Sequence, residues 1–318
     1  MNIGLVGYGH IAQKHKVAIE MTPDCSLKAA FDINPIASTD ADIKSYTDLE
    51  AMLREDLDIV VICTPNGFHA QHSIAALEAG HHVICEKPLA LTSVDCKKMI
   101  TAAAENDKKI FCTMQNRFSP VSQWLKKITT EKKLGDLNLI NVSCYWNRNK
   151  NYYNQSQWRG HKDQDGGTLF TQFSHYVDTL YWLYGDMKIH HALFQNFDHG
   201  DMIDFEDTGL FNFSLGNGAM GTFSYTTSCY EKNFESSLTL IGSKGTVKVA
   251  GQYMDRIEYC NIEGVDPPLL SANDNISNIS KIYKNTIAQI KGEKATMTTA
   301  KDGQSVVSII EEVYAFKK

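Results

Sequence analysis

Gly7-Tyr8-Gly9-His10-Ile11-Ala12 follows a short apolar run, Ile3 to Val6, and opens a stretch with helical spacing. Glycines in that context suit a phosphate. Gly7 permits the tight turn, Gly9 lets the backbone approach a pyrophosphate, and Ala12 keeps helix and strand close. Gly7, Gly9, His10 and Ile11 are therefore the expected pyrophosphate shell, with the free N–H groups of a helix N-terminus behind them. Asp32 closes the next apolar run about 20 residues on, where a carboxylate accepts both hydroxyls of an adenosine ribose. It would repel the additional phosphate of NADP, and Ile33-Asn34-Pro35 offers no arginine to receive one. NAD is the expected cofactor, with NADP disfavoured.

Two further positions are spaced for proton transfer. Lys87, in Cys85-Glu86-Lys87-Pro88, falls at the carboxyl end of a later apolar run, where open α/β sheets gather their ligands. His175 shares a helical polar stripe with Thr171, Gln172 and Asp178, while Leu169, Phe173, Val177 and Leu180 form the apolar stripe. Asp178 is placed to fix the imidazole tautomer, and Thr171 cannot act as a base. Between these segments, Trp146 to Tyr153 together with Trp158, Arg159 and Lys162 interleaves cations with aromatic rings. Such a stretch either pairs a diphosphate or carboxylate and stacks a base, or is a solvated loop; Arg148 is its central cation.

These residues need a scaffold. Apolar runs at 3–6, 27–31, 59–63, 82–85 and 110–114 alternate with helical stretches at 10–21, 48–54, 69–79 and 93–105, the rhythm of βαβ units feeding a parallel sheet. Ser93 reads as a helix N-cap. The connection after Asp32 is poor helix material and predicts an abbreviated crossover. After Ser119 comes an amphipathic helix at 121–130, then strands at 137–146, 208–214, 220–227, 237–241 and 246–249. Leu215-Gly216-Asn217-Gly218 and Gly242-Ser243-Lys244-Gly245 mark hairpins, and helices are expected at 169–184, 276–291 and 304–316. The expected fold class is α/β: a Rossmann dinucleotide-binding domain over 1–118, and an α+β domain over 119–318 with a large, mostly antiparallel, open-faced sheet for substrate and self-association. Phe211, Phe213, Phe223 and Tyr225 alternate on its strands, and a bare apolar sheet face would need a second copy to cover it.

Composition narrows the partners. The chain has 31 basic and 37 acidic residues, a formal net charge of -6, which leaves no bulk cationic surface for nucleic acid. No run approaches the roughly 18 apolar residues of a membrane span, and Met1 to Val6 carries no basic leader, so a cytoplasmic protein is expected. The eight cysteines include no C-x-x-C pair and read as free thiols, and the scattered histidines give no metal-ligand spacing.

Cys63-Thr64-Pro65-Asn66-Gly67-Phe68-His69, Cys85-Glu86-Lys87-Pro88-Leu89, the glycine turn, Trp158-Arg159-Gly160, Gly166-Gly167, His175 and Asp178 together resemble the Gfo/Idh/MocA family of nicotinamide-dependent sugar and cyclitol dehydrogenases. Within it, Gln115-Asn116-Arg117-Phe118 through His175 is most similar to bacterial enzymes that oxidise C3 of UDP-N-acetyl-glucosaminuronic acid for surface-polysaccharide synthesis. The resemblance implies that Thr64, Asn66 and His69 lie along the cofactor's ribose and pyrophosphate, and Glu86 near the nicotinamide ribose. Gln115, Trp158 and Arg159 would lie by the nicotinamide or substrate, and the Lys87-Pro88 bond would be cis. Oxidising a secondary alcohol requires a base beside the nicotinamide. Lys87 leads for that role, with His175 binding the hydroxyl or sharing its proton. Many relatives carry Asp, and the polysaccharide group often Asn, where this chain has Thr171. A free cyclitol or aldose as substrate, and a non-enzymatic nicotinamide-binding regulator, are the other readings.

Overall fold

The computed structural model describes residues 1–37, 42–270, 274–296 and 298–317. It divides into two compact units, 1–115 with 275–307, and 116–274 with 308–318.

The first unit is built on a six-stranded parallel sheet. Its chain runs β1 (Asn2–Val6), α1 (His10–Glu20), β2 (Ser26–Phe31), β3 (Lys44–Tyr46), α2 (Leu49–Leu53), β4 (Ile59–Ile62), α3 (His69–Glu78), β5 (His82–Cys85), α4 (Ser93–Glu105) and β6 (Ile110–Cys112). The order β3-β2-β1-β4-β5-β6 reverses direction at β1, so the crevice beyond the carboxyl ends of β1 and β4 is the topological switch point. All of β4 is buried, as the run Ile59-Val60-Val61-Ile62 requires of a strand covered on both faces. The described part of the connection from β2 to β3 holds no helix; residues 38–41 of it lie outside the described residues. The cap of α4 falls one residue earlier than expected: the Asp95 N–H donates to the Thr92 hydroxyl at 3.0 Å, and Thr92 returns a bond to the Asp95 carboxylate.

The second unit begins with α5 (Pro120–Thr130), capped by Ser119, and continues through β7 (Leu137–Tyr145), α6 (Lys150–Asn154), α7 (Ser174–Tyr184), β8 (Met187–Gln195), β9 (Thr208–Leu215), β10 (Met220–Thr226), β11 (Glu235–Gly242), β12 (Gly245–Ala250) and β13 (Arg256–Ile262). Its seven-stranded sheet has the order β13-β12-β11-β7-β10-β9-β8, antiparallel except for the β7–β10 pair. Both expected hairpins are present, joining β9 to β10 and β11 to β12. Phe211, Phe213, Phe223 and Tyr225 are buried on the covered face, with Phe173 packing on Tyr225 at 5.5 Å, and so they are not a bare apolar surface. The other face is largely polar around Asn141, Asn212 and Thr222, with Leu139, Leu193, Leu210 and Met220 exposed on it.

The chain then forms α8 (Asn275–Ile290) and α9 (Ala300–Tyr314). Residues 275–307 belong to the first unit, where the sequence alone assigned them to the second. The buried stripe of α8, Ile279, Ile282, Tyr283 and Ile287, finds its cover there through α1.

Candidate active site

In the first unit the turn after β1 is drawn tight by Gly7, whose N–H donates to the Phe31 carbonyl at 2.8 Å. Gly7 has φ +87°, and a Cβ there would lie 2.9 Å from the backbone of Cys63 and Thr64. Gly9 is different: a Cβ there would meet nothing within 4 Å. α1 starts at His10 with no side chain capping it, so its first N–H groups are left for a ligand. The Asp32 carboxylate is held beside this turn, accepting from the Tyr8 N–H at 2.9 Å and the Asn34 N–H at 3.0 Å. Open space at Gly9, uncapped helical N–H groups and a fixed carboxylate at the end of β2 fit a dinucleotide.

The segments after β4 and β5 are stapled together by His69. Its Nδ1 lies 2.7 Å from the Pro88 carbonyl and its Nε2 2.9 Å from the Thr64 carbonyl. Burial pulls its pKa down, against those two backbone acceptors. His69 thus fixes the loops from within rather than facing a cofactor. Asn66 sits buried in the turn before α3, and Thr64 Oγ1 meets His72 Nδ1 at 3.1 Å. Burial holds His72, stacked on Phe68, at a pKa of about 4. Lys87 is half-buried at the end of β5 and is followed by a cis bond to Pro88. Glu86, expected beside a ribose, is 5% exposed and turned inward. Its Oε1 lies 2.8 Å from His15 Nε2, and its Oε2 accepts from the Lys87 N–H at 3.2 Å. Gln115 is buried, and its Oε1 has no hydrogen-bond partner among the described residues, as fits a group awaiting a ligand.

In the second unit the helix carrying His175 is not one continuous α-helix. Residues 169–173 form a turn of π-helix before α7, so the expected single polar stripe breaks up. Thr171 turns to Asp165, donating to its backbone carbonyl at 3.0 Å and to its carboxylate. The Asp165 carboxylate also accepts from the Gly160 N–H at 2.9 Å, tying Trp158-Arg159-Gly160 to this turn. Asp178 is fully buried and engaged by Arg117, while His175 is 8% exposed one turn earlier.

Gln172 joins a different cluster. It accepts from Arg148 Nε at 2.8 Å and donates to the Tyr152 hydroxyl at 2.7 Å. The Arg148 guanidinium lies 4.7 Å from the Trp146 ring and 5.1 Å from Tyr152, and Arg159 lies over Tyr152 at 4.2 Å and Trp158 at 5.7 Å. The stretch from Trp146 is thus an ordered stack of alternating cations and rings, with α6 inside it capped by Asn149. Behind it, His199 Nε2 holds the Arg148 carbonyl at 2.6 Å and its Nδ1 meets Asp207 Oδ2 at 3.0 Å. Sequence reasoning missed His15, Asp165 and His199. His15 carried one readable sign, a polar residue at helical spacing with the buried Ala12, Ala18 and Ile19.

A doubly wound domain with a dinucleotide cradle, a half-buried lysine at a strand end and a second α+β unit defines a nicotinamide-dependent oxidoreductase. Residues 1–114 match the oxidoreductase family described as the Gfo/Idh/MocA NAD-binding Rossmann fold, and residues 122–248 match that family's C-terminal domain. The chain belongs to the Gfo/Idh/MocA family. Among solved structures it is similar to the WlbA dehydrogenase of Bordetella pertussis in complex with NADH and UDP-GlcNAcA, at 32% identity over 99% of this chain and 95% of that one, TM-score 0.90. The WlbA of Chromobacterium violaceum, with the same two ligands, is 33% identical over 99% and 93%, also at TM-score 0.90. Among curated sequences, levoglucosan dehydrogenase of Pseudarthrobacter phenanthrenivorans is 24% identical, covering 81% of this chain and 75% of its own. No helix among the described residues is long and apolar enough to cross a membrane.

Proposed function

We propose that this NAD-dependent oxidoreductase acts on a sugar and oxidises the C3 hydroxyl of a nucleotide-activated amino-sugar uronic acid, of the UDP-GlcNAcA type, to a ketone. The observation that carries the reading is the Arg148–Gln172–Tyr152–Arg159 cluster. Two guanidinium groups are held by ring stacking and hydrogen bonds in the unit that also carries His175, an arrangement suited to a diphosphate or a carboxylate. Similarity to the two WlbA proteins along nearly the whole chain supports the same substrate class.

In this reading Gly7, Gly9, His10, Ile11 and Asp32 hold the cofactor, with Thr64, Asn66 and Gln115 along its length. NAD supplies the hydride acceptor. Lys87 takes the hydroxyl proton as the C–O bond becomes a carbonyl. His175 binds the reacting hydroxyl or shares its proton. Arg148, Trp158, Arg159 and Gln172 line the substrate, while Thr171 and Asp178 act from behind by fixing Asp165 and Arg117. The product ketone then suits a transamination step in surface-polysaccharide synthesis. The same reading puts the enzyme in the cytoplasm and pairs copies through the outer face of the second sheet, which light scattering tests.

Steady-state assays with UDP-N-acetyl-glucosaminuronic acid and NAD, with and without a 2-oxo acid to reoxidise bound NADH, test the substrate. Turnover is expected in at least one condition, and none in either overturns it. Similarity to levoglucosan dehydrogenase favours a second reading, a free cyclitol or aldose. Turnover on a free-sugar panel without the nucleotide would establish that one instead.

A further inference from the structure

We propose that His15 is a positioning residue for Lys87, acting through the Glu86 carboxylate. This rests on the reading of Lys87 as the base. His15 lies on α1 with no exposed surface, 71 residues from Glu86 and 268 from Tyr283 on α8, and it meets both. The Tyr283 hydroxyl is 2.7 Å from His15 Nδ1, and the two rings pack edge to face at 5.8 Å and 80°. Burial pushes the Tyr283 phenol well above its ordinary range, so it remains a donor. Tyr283 O–H therefore donates to Nδ1, which leaves the proton on Nε2 to point at Glu86 Oε1, 2.8 Å away.

The carboxylate is thus fixed from one side by an imidazole whose own tautomer and rotation are fixed by a third group. On its other side Oε2 receives the Lys87 N–H. The relay runs from α8 through α1 to the carboxyl end of β5 and ends on the residue that carries the proposed base.

The relay also sets the field at Lys87. The titratable groups facing Glu86 include His15 from α1, Tyr283 from α8, Cys63 after β4 and Cys85 of β5, with His69 of α3 acting on both Glu86 and Lys87. Burial pushes the thiols of Cys63 and Cys85 up, keeping them neutral, and pulls His69 down. The Glu86 carboxylate, bonded to the Lys87 N–H, is thus a negative charge on the residue next to the Lys87 ammonium. The N–H of His15 draws part of that charge away from it, and residue 15 sets the lysine's proton affinity.

The test compares wild type with His15→Leu, which removes the donor, His15→Gln, which keeps one, and Tyr283→Phe, which releases the tautomer. Lys87 is titrated directly by competitive acetylation with acetic anhydride across pH, read by peptide mass spectrometry, alongside NADH affinity and melting temperature. In His15→Leu the labelling midpoint is expected to rise by about one pH unit, with NADH affinity within about threefold of wild type. His15→Gln should leave the midpoint close to wild type, and Tyr283→Phe should fall between. Where the nucleotide sugar turns over, kcat of the Leu variant should fall about 100-fold with KM little changed, as expected for a misplaced base. A Leu variant that melts and binds NADH as wild type does, with an unmoved midpoint, overturns the proposal, and so do equal shifts in Leu and Gln. If His15→Leu does not fold, Tyr283→Phe decides, and an unmoved midpoint there overturns it. The labelling needs no sugar, so failure of the substrate reading is seen separately.

Discussion

Arg117 and Asp178 form a two-pronged ion pair inside the second unit, Nε to Oδ2 at 2.9 Å and Nη2 to Oδ1 at 2.6 Å, with 6% and none of their side chains exposed. Asp178 belongs to α7, one turn beyond His175, so this pair fixes the rotation of the helix that presents the histidine. Breaking such a pair leaves a buried charge without compensation and costs about 3–5 kcal/mol. Asp178→Asn is therefore expected to lower stability on that scale in urea unfolding. Replacing both residues with leucine should recover a large part of the loss, because no charge is then stranded. If the single variant unfolds like wild type, the pair does not hold the helix.

Gly7 and Gly9 lie two residues apart in one turn, and alanine at each should fail differently. At Gly7, the left-handed backbone and a Cβ 2.9 Å from the chain after β4 make alanine costly to the fold itself, by about 2 kcal/mol or more. At Gly9, φ is -75° and the space is open, so Gly9→Ala should melt as wild type does. Its methyl group would stand where the pyrophosphate has to come, and NADH affinity should fall at least about 10-fold, roughly 1.4 kcal/mol. Calorimetry of folding and of NADH binding separates the two, and a Gly9→Ala protein with native affinity would remove the cradle from the cofactor.

The first unit was legible because its information is local. A glycine turn, a carboxylate at a strand end and buried runs such as Ile59-Val60-Val61-Ile62 each declare themselves within a few residues. The second unit was read less completely. β13 is half exposed and mixes Arg256, Glu258 and Asn261 with its apolar residues, so no alternation marks it, and β8 was also not anticipated. The polar stripe through His175 holds only on a regular α-helix, and a π-helical turn over 169–173 breaks that spacing upstream of Ser174. Side-chain pairing between distant residues leaves no period at all, and His15 with Glu86, Arg117 with Asp178 and His199 with Asp207 were each invisible for that reason.

His199 makes the second unit's stability depend on pH. Its ring donates at both nitrogens, to Asp207 and to the Arg148 carbonyl, which only the imidazolium can do. Burial opposes the charge, but the bonds to Asp207 and Arg148 outweigh it, and the pKa is raised. Its contribution is fully present below the unfolded value of about 6.5 and is lost as pH rises through the folded value. Burial likewise opposes ionisation of Asp207, but hydrogen bonds from His199, the Asp198 N–H, Thr208 and Ser228 lower its pKa. That contribution is present above about 3.9 and lost as pH falls through the folded value. Both act together between about pH 4 and 6.5. The difference in melting temperature between wild type and His199→Gln should be largest in that window and shrink toward pH 9. A difference independent of pH would mean that the histidine is neutral in the fold.

Arg148→Lys tests whether the stack of cations and rings recognises the substrate or only orders the loop. Arginine fills this position with a planar group that lies against Trp146 and Tyr152 while its Nε reaches Gln172 and its Nη1 reaches the Asn147 carbonyl at 2.7 Å. Lysine keeps the charge but has neither the plane nor the fork, so an anionic substrate would lose directed hydrogen bonds while the bulk attraction survives. KM for the nucleotide sugar is expected to rise about 10-fold, equivalent to roughly 1.4 kcal/mol, with NADH affinity unchanged. If binding used only the net charge of the loop, lysine would serve as well as arginine and KM would stay put. If the arginine only ordered the loop, melting temperature and KM would recover together when Gln172 is changed to glutamate, which pairs with either cation. A KM that stays high in the double variant, with stability restored, assigns the guanidinium to the substrate.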